Sequence, residues 1–187
     1  MKKILFLTLA FCIIAGVSAS AQQSTFLKGD NVVSLGVGLG GYLNTGWGWS
    51  GHGVKKTPLI TASFDHCFFD NLFDEKSSIG IGGLVGFKSV KVVDYWKITY
   101  IIIGVRGTFH YALVNKLDTY GGLHLGYDIC NSKYIGPSGS WGGSTGGSGL
   151  SYGFFVGGRY YFTDSIGAFA ELGYGYAILN LGVSFKF

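Results

Sequence analysis

Residues 180–187 read NLGVSFKF, with phenylalanine as the last residue. Leu179, Leu181, Val183, Phe185 and Phe187 are apolar, and Asn180, Gly182, Ser184 and Lys186 between them are small or polar. Strict alternation marks a strand with two unlike faces. A soluble sandwich could bury the apolar face in its core, whereas a membrane barrel would turn it toward lipid. The other end of the chain separates the two.

Residues 1–23 read MKKILFLTLAFCIIAGVSASAQQ. Lys2 and Lys3 precede an apolar run from Ile4 to Val17, and Ala19, Ser20 and Ala21 close it. This is the layout of a secretory signal peptide, with cleavage expected after Ala21. The apolar run is shorter than the roughly 20 residues of a membrane-spanning helix. Cys12 follows the bulky Phe11 and lies inside the apolar run, a poor context for lipidation. The expected organisation is a signal peptide over residues 1–21 and one domain over residues 22–187.

The whole chain carries a formal net charge of +4, and losing Lys2 and Lys3 lowers it by two. No basic block stands anywhere, so there is no footprint for nucleic acid. The chain has 33 glycines, 2 prolines and 17 % aromatic residues. Glycine and aromatics in many short alternating segments point to an all-β barrel. Only Cys67 and Cys130 follow the signal segment. They are expected near opposite rims, too far apart to bridge, and therefore as free thiols.

Eight alternating segments can be read. They cover about residues 32–43, 59–69, 79–87, 98–112, 123–129, 151–162, 167–174 and 180–187. One such pattern is a weak signal, but eight at regular spacing describe an antiparallel up-and-down barrel. The first, third and fifth connections, about 44–58, 89–97 and 131–149, are long. The second, fourth and sixth are shorter, as expected when both termini lie on the periplasmic side.

The non-apolar face decides the environment. By strand parity it holds Asp65, Arg106, His110, His124, Asp128, Arg159, Glu171 and Lys186 among glycines. Polar inside and apolar outside is the arrangement of a barrel in lipid. An apolar lumen would have suited a soluble lipocalin-like binder, and this pattern denies it. Phe69, Phe109, Tyr111, Tyr160, Phe162, Phe185 and Phe187 gather toward one rim, and Tyr42, Trp47, Trp49 and Trp96 toward the other. Such belts suit the lipid–water interface.

On these residues the chain resembles the small eight-stranded outer-membrane β-barrel proteins of the OmpX/OmpA-barrel type. That resemblance implies a transmembrane barrel in the outer membrane of a Gram-negative-type bacterium. It also implies that Leu179, Leu181, Val183, Phe185 and Phe187 form a C-terminal insertion signal. The barrel-insertion machinery would read it after delivery by periplasmic chaperones.

The candidate site is the lumen. Asp65, Asp128 and Glu171 balance Arg106, Arg159 and Lys186, and eight strands leave room for little beyond their own side chains. Buried charges must be paired, so a structural ion-pair network is expected, with Glu171 meeting Arg106 or Arg159. A narrow ion or solute path is the alternative. His110 and His124 show no metal-ligand spacing, so no metal and no cofactor is expected. Some eight-stranded outer-membrane barrels modify lipids with a Ser/His constellation; no serine follows any histidine here by two residues, and no enzyme is expected. The Gly/Ser-rich stretch YIGPSGSWGGSTGGSGLSYG lacks the ending of a phosphate-binding loop and reads as a surface loop. Trp47, Trp49, Trp96 and Trp141 are candidates for surface recognition of an unknown ligand.

Overall fold

The computed structural model describes residues 25–42, 54–92, 96–136 and 147–187. The leader expected at 1–21, with Cys12, and Trp47, Trp49 and Trp141 lie outside the described residues. Among the described residues nine strands follow in order: β1 (Asn31–Leu39), β2 (Val54–Lys56), β3 (Leu59–Asp70), β4 (Ser77–Val92), β5 (Trp96–Val114), β6 (Leu117–Tyr134), β7 (Gly149–Tyr161), β8 (Ile166–Tyr174) and β9 (Leu179–Lys186). Eight of them form a closed antiparallel ring in the order β1–β3–β4–β5–β6–β7–β8–β9, with β9 returning to β1. The expected eight-stranded up-and-down barrel is therefore observed. The ninth, β2, is a three-residue strand pairing with the far end of β4.

Within the ring, closure pairs each strand on both sides, the condition for crossing a bilayer with strands. The last join uses the terminal residue itself. Asn31 N donates to Phe187 O and Phe187 N donates to Asn31 O, each at 2.9 Å.

Alternation in the sequence becomes inside and outside in the ring. Outward positions of β5 are apolar or glycine from Tyr111 to Ile101. Ten residue steps at about 3.3 Å, tilted by about 40°, make an apolar band roughly 25 Å tall. Phe87, Ile101 and Ile129 sit side by side at its upper border, in register across β4, β5 and β6. Tyr111, Tyr160, Phe162, Phe185 and Phe187 stand exposed at the lower border.

Three differences from the sequence reading matter. The connection expected over 89–97 is mostly strand, because β4 runs to Val92 and β5 starts at Trp96 in continuous register. β6 starts at Leu117 rather than near 123, after a two-residue turn in which Lys116 adopts φ 65°. A register shift between Cys67 and Phe69 puts both Phe68 and Phe69 outside, while Cys67 stays buried.

Residues 25–30 fold back into the lower mouth. Phe26 is fully buried, its ring 4.2 Å from that of His110, and Thr25 O accepts from Lys186 Nζ at 3.0 Å. Gly29 N donates to Cys67 O at 3.1 Å. Cys67 and Cys130 are both free thiols in this structure.

Candidate functional site: the polar lumen

Arg106, from the middle of β5, crosses the lumen. Its Nε lies 2.9 Å from Asp65 Oδ1 on β3, a close ion pair without an aligned hydrogen bond. Its Nη2 donates to Glu171 Oε1 on β8 at 2.8 Å. The guanidinium plane lies over the Phe155 ring, 4.3 Å from the centroid, which adds a cation–π contact. Glu171 thus meets Arg106 and not Arg159. Tyr120 donates to Glu171 Oε1 at 3.0 Å, and Asn180 Nδ2 to Glu171 Oε2 at 3.2 Å.

Arg159 on β7 makes a second layer nearer the lower mouth. Nη1 donates to Asp118 Oδ2 at 3.0 Å and Nη2 to Asp65 Oδ2 at 3.3 Å. Nε donates to Ser184 Oγ at 3.1 Å, and that hydroxyl shares a 2.8 Å hydrogen bond with Ser34. Asp65 therefore joins the two arginine layers. Arg106, Arg159, Asp65, Asp118 and Glu171 are each at most 4 % exposed.

The expected set is corrected at three positions. Asp128 makes no ion pair among the described residues; it lies four residues above His124 on β6, toward the upper end. Lys186 sits at the lower rim, 3.7 Å from Asp30 and outside the network. Asp118 takes a place in the network that sequence reasoning gave to neither strand nor lumen. Counting inward parity back from His124 through Tyr120 would have found it, had the strand been extended to the turn. The fourth tryptophan candidate, Trp96, lies on the lumen-side face above the apolar band. Its ring meets that of Tyr134 edge-on at 5.3 Å, so it does not anchor at the lipid face.

His110 is not a bystander. Its Nδ1 is 2.8 Å from Asp118 Oδ1, and its Nε2 is 2.8 Å from Thr108 Oγ1. Hydroxyl, imidazole and carboxylate in line are the geometry of a nucleophile triad. Here Thr108 is 3 % exposed, the Phe26 ring covers His110, and Asp118 is engaged by Arg159. An acyl or phosphoryl substrate has no approach to the hydroxyl in this arrangement. His124 lies higher, tilted 4.8 Å from the Tyr176 ring, and neither ring nitrogen has a partner among the described residues. His66 points outward and pairs with Asn31 Oδ1 at 2.9 Å. Among the described residues no group of three metal-ligating side chains gathers.

The rest of the cross-section is filled by buried aromatic and aliphatic side chains, among them Ile102, Tyr120, Phe155, Phe169 and Tyr176, packed against glycines. At Gly36 an added Cβ would lie 2.7 Å from Asn180 Oδ1 and 2.8 Å from both Thr61 Oγ1 and the Phe169 ring. A cavity of about 10 Å³ remains beside His124, Glu171 and Tyr176, room for about one water.

Solved structures with a similar fold are outer-membrane proteins. The attachment invasion locus protein Ail of Yersinia pestis matches with a TM-score of 0.53 at 11 % identity, over 86 % of this chain and 100 % of that one. Ail in complex with the heparin analogue sucrose octasulfate gives 0.54 at 11 % identity over the same shares. The N-terminal β-barrel domain of Pseudomonas aeruginosa OprF gives 0.52 at 13 % identity, over 86 % and 98 %. At such identities the likeness is one of fold. No family model and no curated protein matches the sequence.

Proposed function

We propose that this chain is a non-enzymatic integral outer-membrane barrel with a plugged polar lumen. It serves envelope structure and surface interaction through its outer end. The carrying observation is the pair of buried guanidiniums, Arg106 and Arg159, each tied to carboxylates on other strands, with Arg159 on β7 reaching Asp65 on the opposite side of the ring. Charges at that burial are tolerated only when paired, and each bridge occupies space an ion would need. Phe26 at the lower mouth and the one-water cavity beside Glu171 support the same reading.

The apolar outer face supports placement in a bilayer, since a soluble barrel would leave a belt of that size in water. β4, β5 and β6 continue beyond the row of Phe87, Ile101 and Ile129 by at least four residues each. That projecting sheet supports a role at the outer surface. Export by a leader at residues 1–21, delivery by chaperones and insertion by the barrel machinery complete the proposal.

The test is expression of the full chain in a Gram-negative host, followed by fractionation. Recovery in the outer-membrane fraction, with a mass beginning at Gln22 and faster gel migration before boiling than after, is expected. Recovery in the soluble periplasm would overturn the reading.

A further inference from the structure

Four lysines stand in one row above the apolar band. Lys55 on β2 is directly opposite Lys91 on β4, Lys91 is opposite Lys97 on β5, and Lys97 is opposite Lys133 on β6. All four are exposed and share the outward parity of Phe87, Ile101 and Ile129. None makes an ion pair among the described residues. Like charges directly opposite one another across a sheet destabilise it. Lysine on an edge strand can deter edge-to-edge pairing, but Lys91 and Lys97 lie on strands paired on both sides. Edge protection therefore does not account for them.

The position of the row suggests what compensates it. Ser89, Thr99 and Asn131 form one polar row between the lysines and the last apolar row. Four residue steps at about 3.3 Å, with a tilt of about 40°, put the lysine Cα atoms roughly 10 Å above the hydrocarbon border. The polar headgroup layer is roughly 5–8 Å thick on each side, and lysine stems can reach back toward it.

We propose that the Lys55–Lys91–Lys97–Lys133 row is a binding surface for phosphorylated, anionic lipid headgroups of the leaflet in which the barrel's upper end sits. This rests on the membrane-barrel reading above. Headgroup phosphates meet the lysines from the side, on the face that also carries the lipid-facing residues. Their negative charge relieves the repulsion between neighbouring ammonium groups, and they fix the height of the barrel in the bilayer.

Unfolding midpoints in two vesicle types test the proposal: phosphatidylcholine alone, and phosphatidylcholine mixed with phosphatidylglycerol. In phosphatidylcholine the Lys91→Gln/Lys97→Gln variant is expected to unfold at a higher midpoint than wild type, because repulsion is gone. In the mixed vesicles the order should reverse. The same order in both compositions would overturn the proposal. A rise in the wild-type midpoint on adding heparin to phosphatidylcholine vesicles, with no response to phosphatidylglycerol, would overturn it in favour of a sulfated polysaccharide. Gel migration before boiling is read in parallel. A wild-type chain that never shows the fast folded band would fail as a membrane barrel, and this inference would fall with it.

Discussion

Asp65 on β3 and Arg106 on β5 meet at 2.9 Å over Gly82, the β4 residue that stands in register between them. The contact ties together strands that share no backbone hydrogen bonds, and Asp65 extends it to Arg159 at 3.3 Å. The barrel wall is held by ladders, and its interior is held by this charge network. Removing one partner from a buried pair leaves an uncompensated charge, which costs about 3–5 kcal/mol.

Glu171→Ala should accordingly lower the unfolding midpoint in detergent, since it strips Arg106, Tyr120 and Asn180 of a common acceptor. Asp65→Asn should cost at least as much, because both arginines lose charge compensation. Denaturant titrations followed by gel migration would measure both. An unchanged midpoint for Glu171→Ala would show that the network is dispensable.

Gly36→Val probes the filling of the lumen without touching a charge. Its new side chain would collide with Asn180, Thr61 and Phe169. Overpacking of this kind costs about 1–3 kcal/mol. A variant as stable as wild type would indicate that the cross-section has room to spare.

Phe187 separates folding from cellular assembly. Its backbone makes the ring-closing hydrogen bonds and its exposed side chain makes little contact inside the barrel. Phe187→Ala should refold in detergent almost as well as wild type, yet accumulate less in the outer membrane of cells, as expected if Leu179, Leu181, Val183, Phe185 and Phe187 act as an insertion signal. Equal accumulation would remove that role.

Intact mass should show Cys67 and Cys130 both reduced in the purified protein. The buried Cys67 should react with a thiol reagent more slowly than the half-buried Cys130. A mass lower by two hydrogens would mean a disulfide, which this register does not permit.

Alternation revealed the ring because, within the apolar band, outward and inward residues differ sharply in polarity. Above the band that contrast vanishes. Ser89, Lys91, Thr99 and Lys97 face outward just as polar residues would in a loop, while the ladder between β4 and β5 continues. The strand ends at 92 and 96 were therefore hidden. Asp118 was hidden for a related reason: the turn at Asn115 and Lys116 is too short to announce itself, so the start of β6 passed for loop. That Glu171 would meet Arg106 or Arg159 was legible from mid-strand position and parity; which of the two it meets was not. The placement of Lys186 with Asp30 depended on the fold of residues 25–30, a mixed six-residue stretch with no periodicity to read. Nothing in the sequence marked Phe26 as the residue that would enter the lower mouth.

Conductance in a planar lipid bilayer at high salt decides whether the charges inside the barrel close its lumen. The refolded mature chain, once shown to be inserted, should stay silent under applied voltage. Reproducible discrete current steps, altered in size by Glu171→Gln, would contradict the plug and make the lumen a path for ions.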